Sequence, residues 1–398
     1  MTYDFFAPEV VGDPHSLLRR LRTENPVYWS PQLHGWVLTR YADVLAATRE
    51  TRLAAPPTTG WLERLPEEVK QQFQPARASI RLWAGLCGEQ EHLEFQAALK
   101  KFFTPSTLER LRPGVQRLTD ELLDAAWEGG GLEVVEGLAR PLTSRVIGEM
   151  LGLPAETREP LSRWAADLRC FFQSSDLEEL HRGQRSLLEL QDCVRPLIAA
   201  RRREPREDLI SALVSRTEGF FAQEPEAVVA NCALLLFAGH ETTSHLISSG
   251  LQLLLSHPEQ LTLLRDKPEL MPSAIEEMLR YEGASDAMAR YSTAPLELGG
   301  QQFDAGQLFV LVYKAANHDP EVFAEPERFD ITRQPHRHLA FGMGSYYCLG
   351  AALARLEAQV CLRTLLRRAP GLRPASEPPE WTPLPPLGRR LRSLPVTF

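Results

Sequence analysis

The residue most able to do chemistry is Cys348, which lies in the run Phe341, Gly342, Met343, Gly344, Ser345, Tyr346, Tyr347, Cys348, Leu349, Gly350. Glycines ahead of it let the backbone turn tightly and approach a flat ligand. A helical pattern begins just after it, so the cysteine meets exposed amides and the positive end of a helix dipole. Both stabilise a thiolate. A thiolate there is a nucleophile or a metal ligand. A nucleophile would want an activating His or Asn, and none adjoins Cys348 in sequence. A buried structural thiol is the alternative that residue type alone leaves open.

A second group is Ala238, Gly239, His240, Glu241, Thr242 and Thr243. It falls in the middle of a stretch, Glu226 to His257, that is apolar on nearly every face. Such a helix belongs in the centre of a large domain. A carboxylate and two hydroxyls are costly there unless paired or used. The small residues leave space and permit a local helix bulge. A threonine bonding back to its own helix turn is the plainer reading. Third, Glu277 and Arg280 are three apart and share a helix face, a spacing that also suits a surface ion pair.

The elements that must position these groups are mostly helical. Amphipathic periodicity predicts helices over 14–24, 42–49, 105–127, 177–202 and 348–368. Strand-like runs lie near 36–39, 296–298, 309–313 and 394–398. The Pro-rich stretch 374–386 reads as an ordered loop. The chain has 398 residues, 43% of them hydrophobic, enough for a large core without disulfides. A net charge of −8 argues against nucleic acid as a partner. Cys87, Cys170, Cys193, Cys232, Cys348 and Cys361 show no metal-finger spacing. The first residues lack the features of a signal peptide, and His240, Glu241 and His245 interrupt the one stretch long enough to span a membrane. These features predict a cytoplasmic protein with free thiols and no membrane segment.

The decapeptide around Cys348 resembles the haem-binding loop of the cytochrome P-450 superfamily. Glu277 and Arg280 resemble the family's Glu-x-x-Arg pair. The run Pro326, Glu327, Arg328, Phe329 is similar to its partner motif, and 238–243 is similar to its oxygen-binding helix segment. The resemblance covers nearly the whole chain. It implies a mainly α fold with small β-sheets, a single domain over 1–398 built around a long central helix, and haem b. Cys348 would be the iron ligand, with thiolate ligation favouring O–O cleavage. Phe341, Gly342, Tyr346, Gly350 and Ala238 would line the haem, and His92 and Arg290 would face its propionates. Thr242 would hydrogen-bond dioxygen, and Glu241 would relay protons. Arg328 would complete a Glu277–Arg280–Arg328 network holding the cysteine loop.

Two positions depart from the family pattern. Gln96 and Tyr346 stand where the family often has Arg and His, so they offer the propionates only neutral hydrogen bonds, roughly half as strong. Ser285 and Asp286 replace more apolar residues beside the haem; Asp286 reads as facing the surface or the substrate. Further pocket candidates are the loop from Trp61 to Trp83, Phe171, Phe172, Leu235 and the turn Pro386 to Gly388.

The implied activity is monooxygenation of a small, largely apolar, secondary-metabolite-like substrate. Electrons would come from NAD(P)H through a ferredoxin or flavodoxin and its reductase, docking on Lys100, Lys101, Arg355 and Arg363. A peroxide-driven oxygenase and a haem sensor or carrier without turnover remain as alternatives.

Overall fold

A computed structural model of the chain describes residues 3–7, 10, 13–56, 62, 65–84, 88–127, 131–174, 176–334, 337–384 and 387–398. Cys87, Trp61 and Pro386 lie outside them. The chain forms two compact units. One comprises Met1–Ala55, Thr119–Ala139 and Thr242–Phe398; the other comprises Pro56–Leu118 and Arg140–Glu241.

The helices begin and end where the sequence directs. Pro225 starts the longest one, Pro225–Ser256, 32 residues, or about 48 Å at 1.5 Å per residue. Pro258 starts the next. The helices predicted over 14–24, 42–49, 105–127 and 177–202 are His15–Glu24, Tyr41–Arg49, Pro105–Trp127 and Leu177–Arg203. The bulge expected near Gly239 is absent, and the long helix is α throughout. None of the described helices is long and apolar enough to cross a membrane.

The first unit carries the sheets. Five strands run in the order Val27–Ser30, Gly35–Leu38, Leu308–Leu311, Met288–Ser292, Leu53–Ala54. Only the Gly35–Leu38 and Leu308–Leu311 pair is parallel. Leu38, Phe309 and Leu311 bury one face against Val44 and Leu339. Alternate residues Val37 and Val310 bury the other face against the helix His15–Glu24, as the two-residue period of a strand requires. The Pro-rich stretch is more ordered than a loop. Glu380–Leu384 pairs antiparallel with Gly388–Ser393, its one proline, Pro383, being tolerated because a two-stranded sheet has only edges.

In the second unit, Asn231 on the long helix is fully buried and ties down the segment 82–84. Its amide donates to the Leu82 carbonyl at 2.7 Å and its oxygen accepts from the Ala84 amide at 2.9 Å.

The Glu277 network differs from the expected one in a single member. Glu277 has no exposure to solvent and holds Arg280 through two hydrogen bonds of 2.8 and 2.9 Å. The third member is Arg333, whose Nε lies 3.1 Å from the carboxylate. Arg328 points to solvent, 59% exposed, toward Glu325 and Asp330; it contributes only its carbonyl, which accepts from both Arg280 and Arg333. Arg280 also donates to the carbonyl of Asn317, whose side chain accepts from the Leu339 amide just ahead of Phe341. The network thus supports the entry to the cysteine loop. Removing one partner of a buried ion pair costs about 3–5 kcal/mol, and an exposed pair is worth about 0–1 kcal/mol. Arg333→Ala should therefore lower the unfolding free energy by several kcal/mol in a urea titration, while Arg328→Ala leaves it nearly unchanged.

Candidate active site

In the first unit, the loop 341–350 turns through two left-handed glycines, Gly342 at φ 66° and Gly344 at φ 71°. A side chain at Gly344 would sit 2.7 Å from the Thr48 carbonyl. The Cys348 amide closes the loop by donating to the Phe341 carbonyl at 3.0 Å. The next helix, Ala351–Arg368, is capped by Gly350, so Cys348 does precede a helix. Desolvation raises the thiol pKa, while the amides of Gly350 and Ala351 and the charge of Arg355 pull it down. Yet Cys348 as a residue is exposed: protein crowds one side of the sulfur and leaves another open. Beside it, a side chain at Gly350 would meet no heavy atom within 4 Å.

Arg355 stacks 4.6 Å over Phe341 and grips Glu276 through hydrogen bonds of 2.6 and 2.9 Å. Burial raises the Glu276 pKa, but Arg355 and His338 outweigh it and hold the carboxyl at about 2. Arg355 is therefore a brace of the cysteine loop, and the docking role expected for it loses its free charge. Lys100, Lys101 and Arg363 are exposed.

Arg290 and Tyr346 come together, the guanidinium 4.6 Å over the phenol ring. Arg290 is 6% exposed, and its only hydrogen bond among the described residues is to the carbonyl of Ala289. No carboxylate among them pairs with it. A buried cation in that position fits an anionic ligand group.

Asp286 is neither at the surface nor placed as a free pocket carboxylate. It is 6% exposed and bonded to Lys314 at 2.7 Å and Arg390 at 2.8 Å. Lys314, itself buried, also holds Glu282 at 2.7 Å. Two carboxylates and two cations thus join the segment after Glu282, the turn at Lys314 and the hairpin strand Gly388–Ser393.

In the second unit, His92 is buried in the helix Glu89–Leu99, and the Gln96 amide meets its Nε2 at 2.9 Å. Gln96 thus orients His92 through this contact. Glu241 is held by Arg140 at 3.2 Å and Arg169 at 3.7 Å. Two cations on this carboxylate were not foreseen. His240 is fully buried, with Nδ1 3.1 Å from the Thr143 hydroxyl. Phe237, Trp83 and Phe172 form an aromatic cluster, with ring centroids 5.1–5.9 Å apart. Phe172 is 40% exposed, whereas Phe171 and Leu235 are buried core and drop out as pocket candidates. On the long helix, where Phe237, Gly239 and Glu241 are half-buried, Ala238 and Thr242 are exposed. Four residues apart, they share a face.

The cytochrome P450 family model matches residues 264–370. The biotin biosynthesis cytochrome P450 of Bacillus subtilis (strain 168) is 36% identical, over 98% of this chain and 97% of its own. The chain belongs to the cytochrome P450 family. The steroid C26-monooxygenase of Mycobacterium tuberculosis (strain CDC 1551 / Oshkosh) is 38% identical over 75% of this chain and 85% of its own. The crystal structure of P450BioI in complex with hexadec-9Z-enoic acid ligated acyl carrier protein superposes with a TM-score of 0.89 at 35% identity, covering 98% of this chain and 100% of that one. The fold is therefore the mainly helical P450 fold. This P450 is a haem b monooxygenase, with reducing equivalents reaching it from NAD(P)H through other proteins. Its residues fit that cofactor: a sulfur flanked by two amides, open space at Gly350, and a buried arginine without a carboxylate.

His240 gives the P450 a pH-dependent stability. Desolvation lowers its pKa from 6.5 to about 4. The unfolded chain then takes up a proton that the folded chain refuses, so stability is full above pH 6.5 and falls as the pH drops toward 4. The loss approaches about 3 kcal/mol. Urea titrations at pH 7 and pH 4.5 should differ less for His240→Asn than for the parent.

Proposed function

We propose that Cys348 would hold the haem iron through its thiolate and that the enzyme inserts one oxygen atom into a C–H or C=C bond of a largely apolar, secondary-metabolite-like substrate. The whole chain serves as one haem-binding domain. The observation that carries the assignment is the pair of amides, Gly350 and Ala351, aimed at the sulfur of a cysteine with an open side. The haem supplies dioxygen activation, which the thiolate promotes. The protein's own residues supply the rest. Gly350, Ala351 and Arg355 stabilise negative charge on the sulfur. Arg290, with Tyr346 against it, would receive a propionate, as would His92, oriented by Gln96, and Phe341 and Gly342 would line the haem. Ala238 would leave room for the haem's ligand, and Thr242, one turn along the same helix, would offer a hydroxyl.

Glu241 moves protons to Thr242 by leaving and regaining Arg140 and Arg169. A carboxylate so held is restrained until it exchanges partners, and that exchange sets the pace of delivery. Phe172 and Phe237, backed by buried Trp83, favour an apolar substrate, because ring faces reward hydrocarbon and offer few polar partners. Relatives named for steroid oxidation and a neighbour bound to a fatty acyl group agree with that class. Electrons arrive from an acidic ferredoxin or flavodoxin drawn by exposed Lys100, Lys101 and Arg363, in the cytoplasm. Peroxide-driven turnover has no need of Glu241 and Thr242.

Two measurements test this reading. Cys348→His should abolish the ferrous carbon-monoxide band typical of a thiolate-ligated haem while a Soret band remains; an unchanged band rejects Cys348 as ligand. Thr242→Ala should divert electrons to hydrogen peroxide and cut product per NAD(P)H several-fold. Unchanged coupling rejects the proton-delivery role.

A further inference from the structure

Away from the haem-site residues, three metal-ligating side chains of the first unit converge: His15 at the start of its helix, His318, and Glu327 at the surface. One ligand atom from each lies within 4.8 Å of the others. The decisive member is His318. Its ring is 2% exposed, and Nδ1 lies 3.0 Å from the Lys314 carbonyl. A carbonyl oxygen can only accept, so Nδ1 carries the proton and Nε2 carries the lone pair. That Nε2 is buried and has no hydrogen-bond partner. A buried acceptor left unmade costs about 1–3 kcal/mol, and such groups call for an explanation. Burial also keeps the ring neutral, its pKa lying well below the usual value. The His15 ring stands edge-on to it at 4.7 Å. A further carboxylate, Glu282, approaches His15 Nε2 at 3.5 Å.

We propose that His15, His318 and Glu327 form a site for a divalent transition-metal ion, zinc being the best match, separate from the haem iron. Two imidazoles and a carboxylate suit zinc and leave a fourth position for water. The Lys314 carbonyl on His318 Nδ1 is the usual outer support of a metal-bound histidine, fixing tautomer and ring direction. Imidazole ligands disfavour magnesium and calcium. Zinc–ligand bonds of about 2.0–2.2 Å place neighbouring ligand atoms roughly 3.3 Å apart, so the three must draw in. Glu327 is exposed and His15 is partly so, which leaves both free to rotate onto a fixed His318 Nε2. Arg280 and Lys314 oppose a cation here, but each is matched by a carboxylate of its own, Glu277 and Glu282. An ion at this point would clamp the helix His15–Glu24 to segments distant in sequence, around His318 and Glu327, and would act as a staple of the fold.

The test uses the haem-loaded, tag-free enzyme after chelator treatment and dialysis, titrated calorimetrically with zinc and then analysed for both metals. About one zinc per haem iron is expected, with no uptake of magnesium or calcium. Zinc should also raise the melting temperature, since a ligand bound only to the folded state stabilises it. Glu327→Gln and His15→Asn should each weaken zinc binding at least tenfold while leaving the Soret and far-ultraviolet spectra unchanged. Zinc uptake no greater than that of calcium, or affinity unaltered in both variants, overturns the proposal.

Discussion

A carboxylate sealed from water has to be matched by cations, and Glu277 is in that position. Arg280 and Arg333 neutralise it, and because each guanidinium has donors to spare, they also draw in the carbonyls of Asn317, Ala324, Glu325, Pro326 and Arg328. The segment that leads toward the cysteine loop is thereby wound around one charge. Glu276, the next residue along the helix, points elsewhere because successive side chains are about 100° apart. It holds Arg355 and His338 instead. Two consecutive glutamates thus brace the approach to the loop and the helix that leaves it. The position of the Cys348 sulfur is set by electrostatics several residues away as much as by its own glycines.

The long helix divides its duties by the same geometry. Ala238 and Thr242 share an open face, while Glu241, one residue away, turns toward Arg140 and Arg169. His240 turns into the core and meets Thr143. A single helical turn therefore offers clearance, a hydroxyl, a restrained carboxylate and a buried anchor in different directions. None of these roles requires a break in the helix, and none is present.

The helices and the cysteine loop were legible because their signals are local. Pro225 and Pro258 mark helix starts, and Gly342 and Gly344 mark turns. What escaped was decided over long stretches of chain. Arg328 and Arg333 are both arginines near one turn, and the left-handed backbone of Glu325, at φ 46°, lies in the segment that decides which of them faces Glu277. No rule of spacing predicts such a conformation in a glutamate. Asp286 reads as polar in isolation, and its partners lie 28 and 104 residues onward in Lys314 and Arg390. Arg140 and Arg169 are likewise remote from Glu241. The strand Glu380–Leu384 was hidden by the prolines before it and by Pro383 within it, which an edge position tolerates.

The Asp286–Lys314–Arg390 cluster has a consequence for how this enzyme could diversify. One side chain of the segment after Glu282, Asp286, is tied into a buried charge quartet. A lone replacement at Asp286 would leave Arg390 without a carboxylate and Lys314 with Glu282 alone, so selection or laboratory libraries would have to change Asp286 and Arg390 together. Innovation in this lineage should accordingly concentrate on less encumbered positions, such as exposed Phe172 and Met288, leaving the quartet as inherited scaffolding.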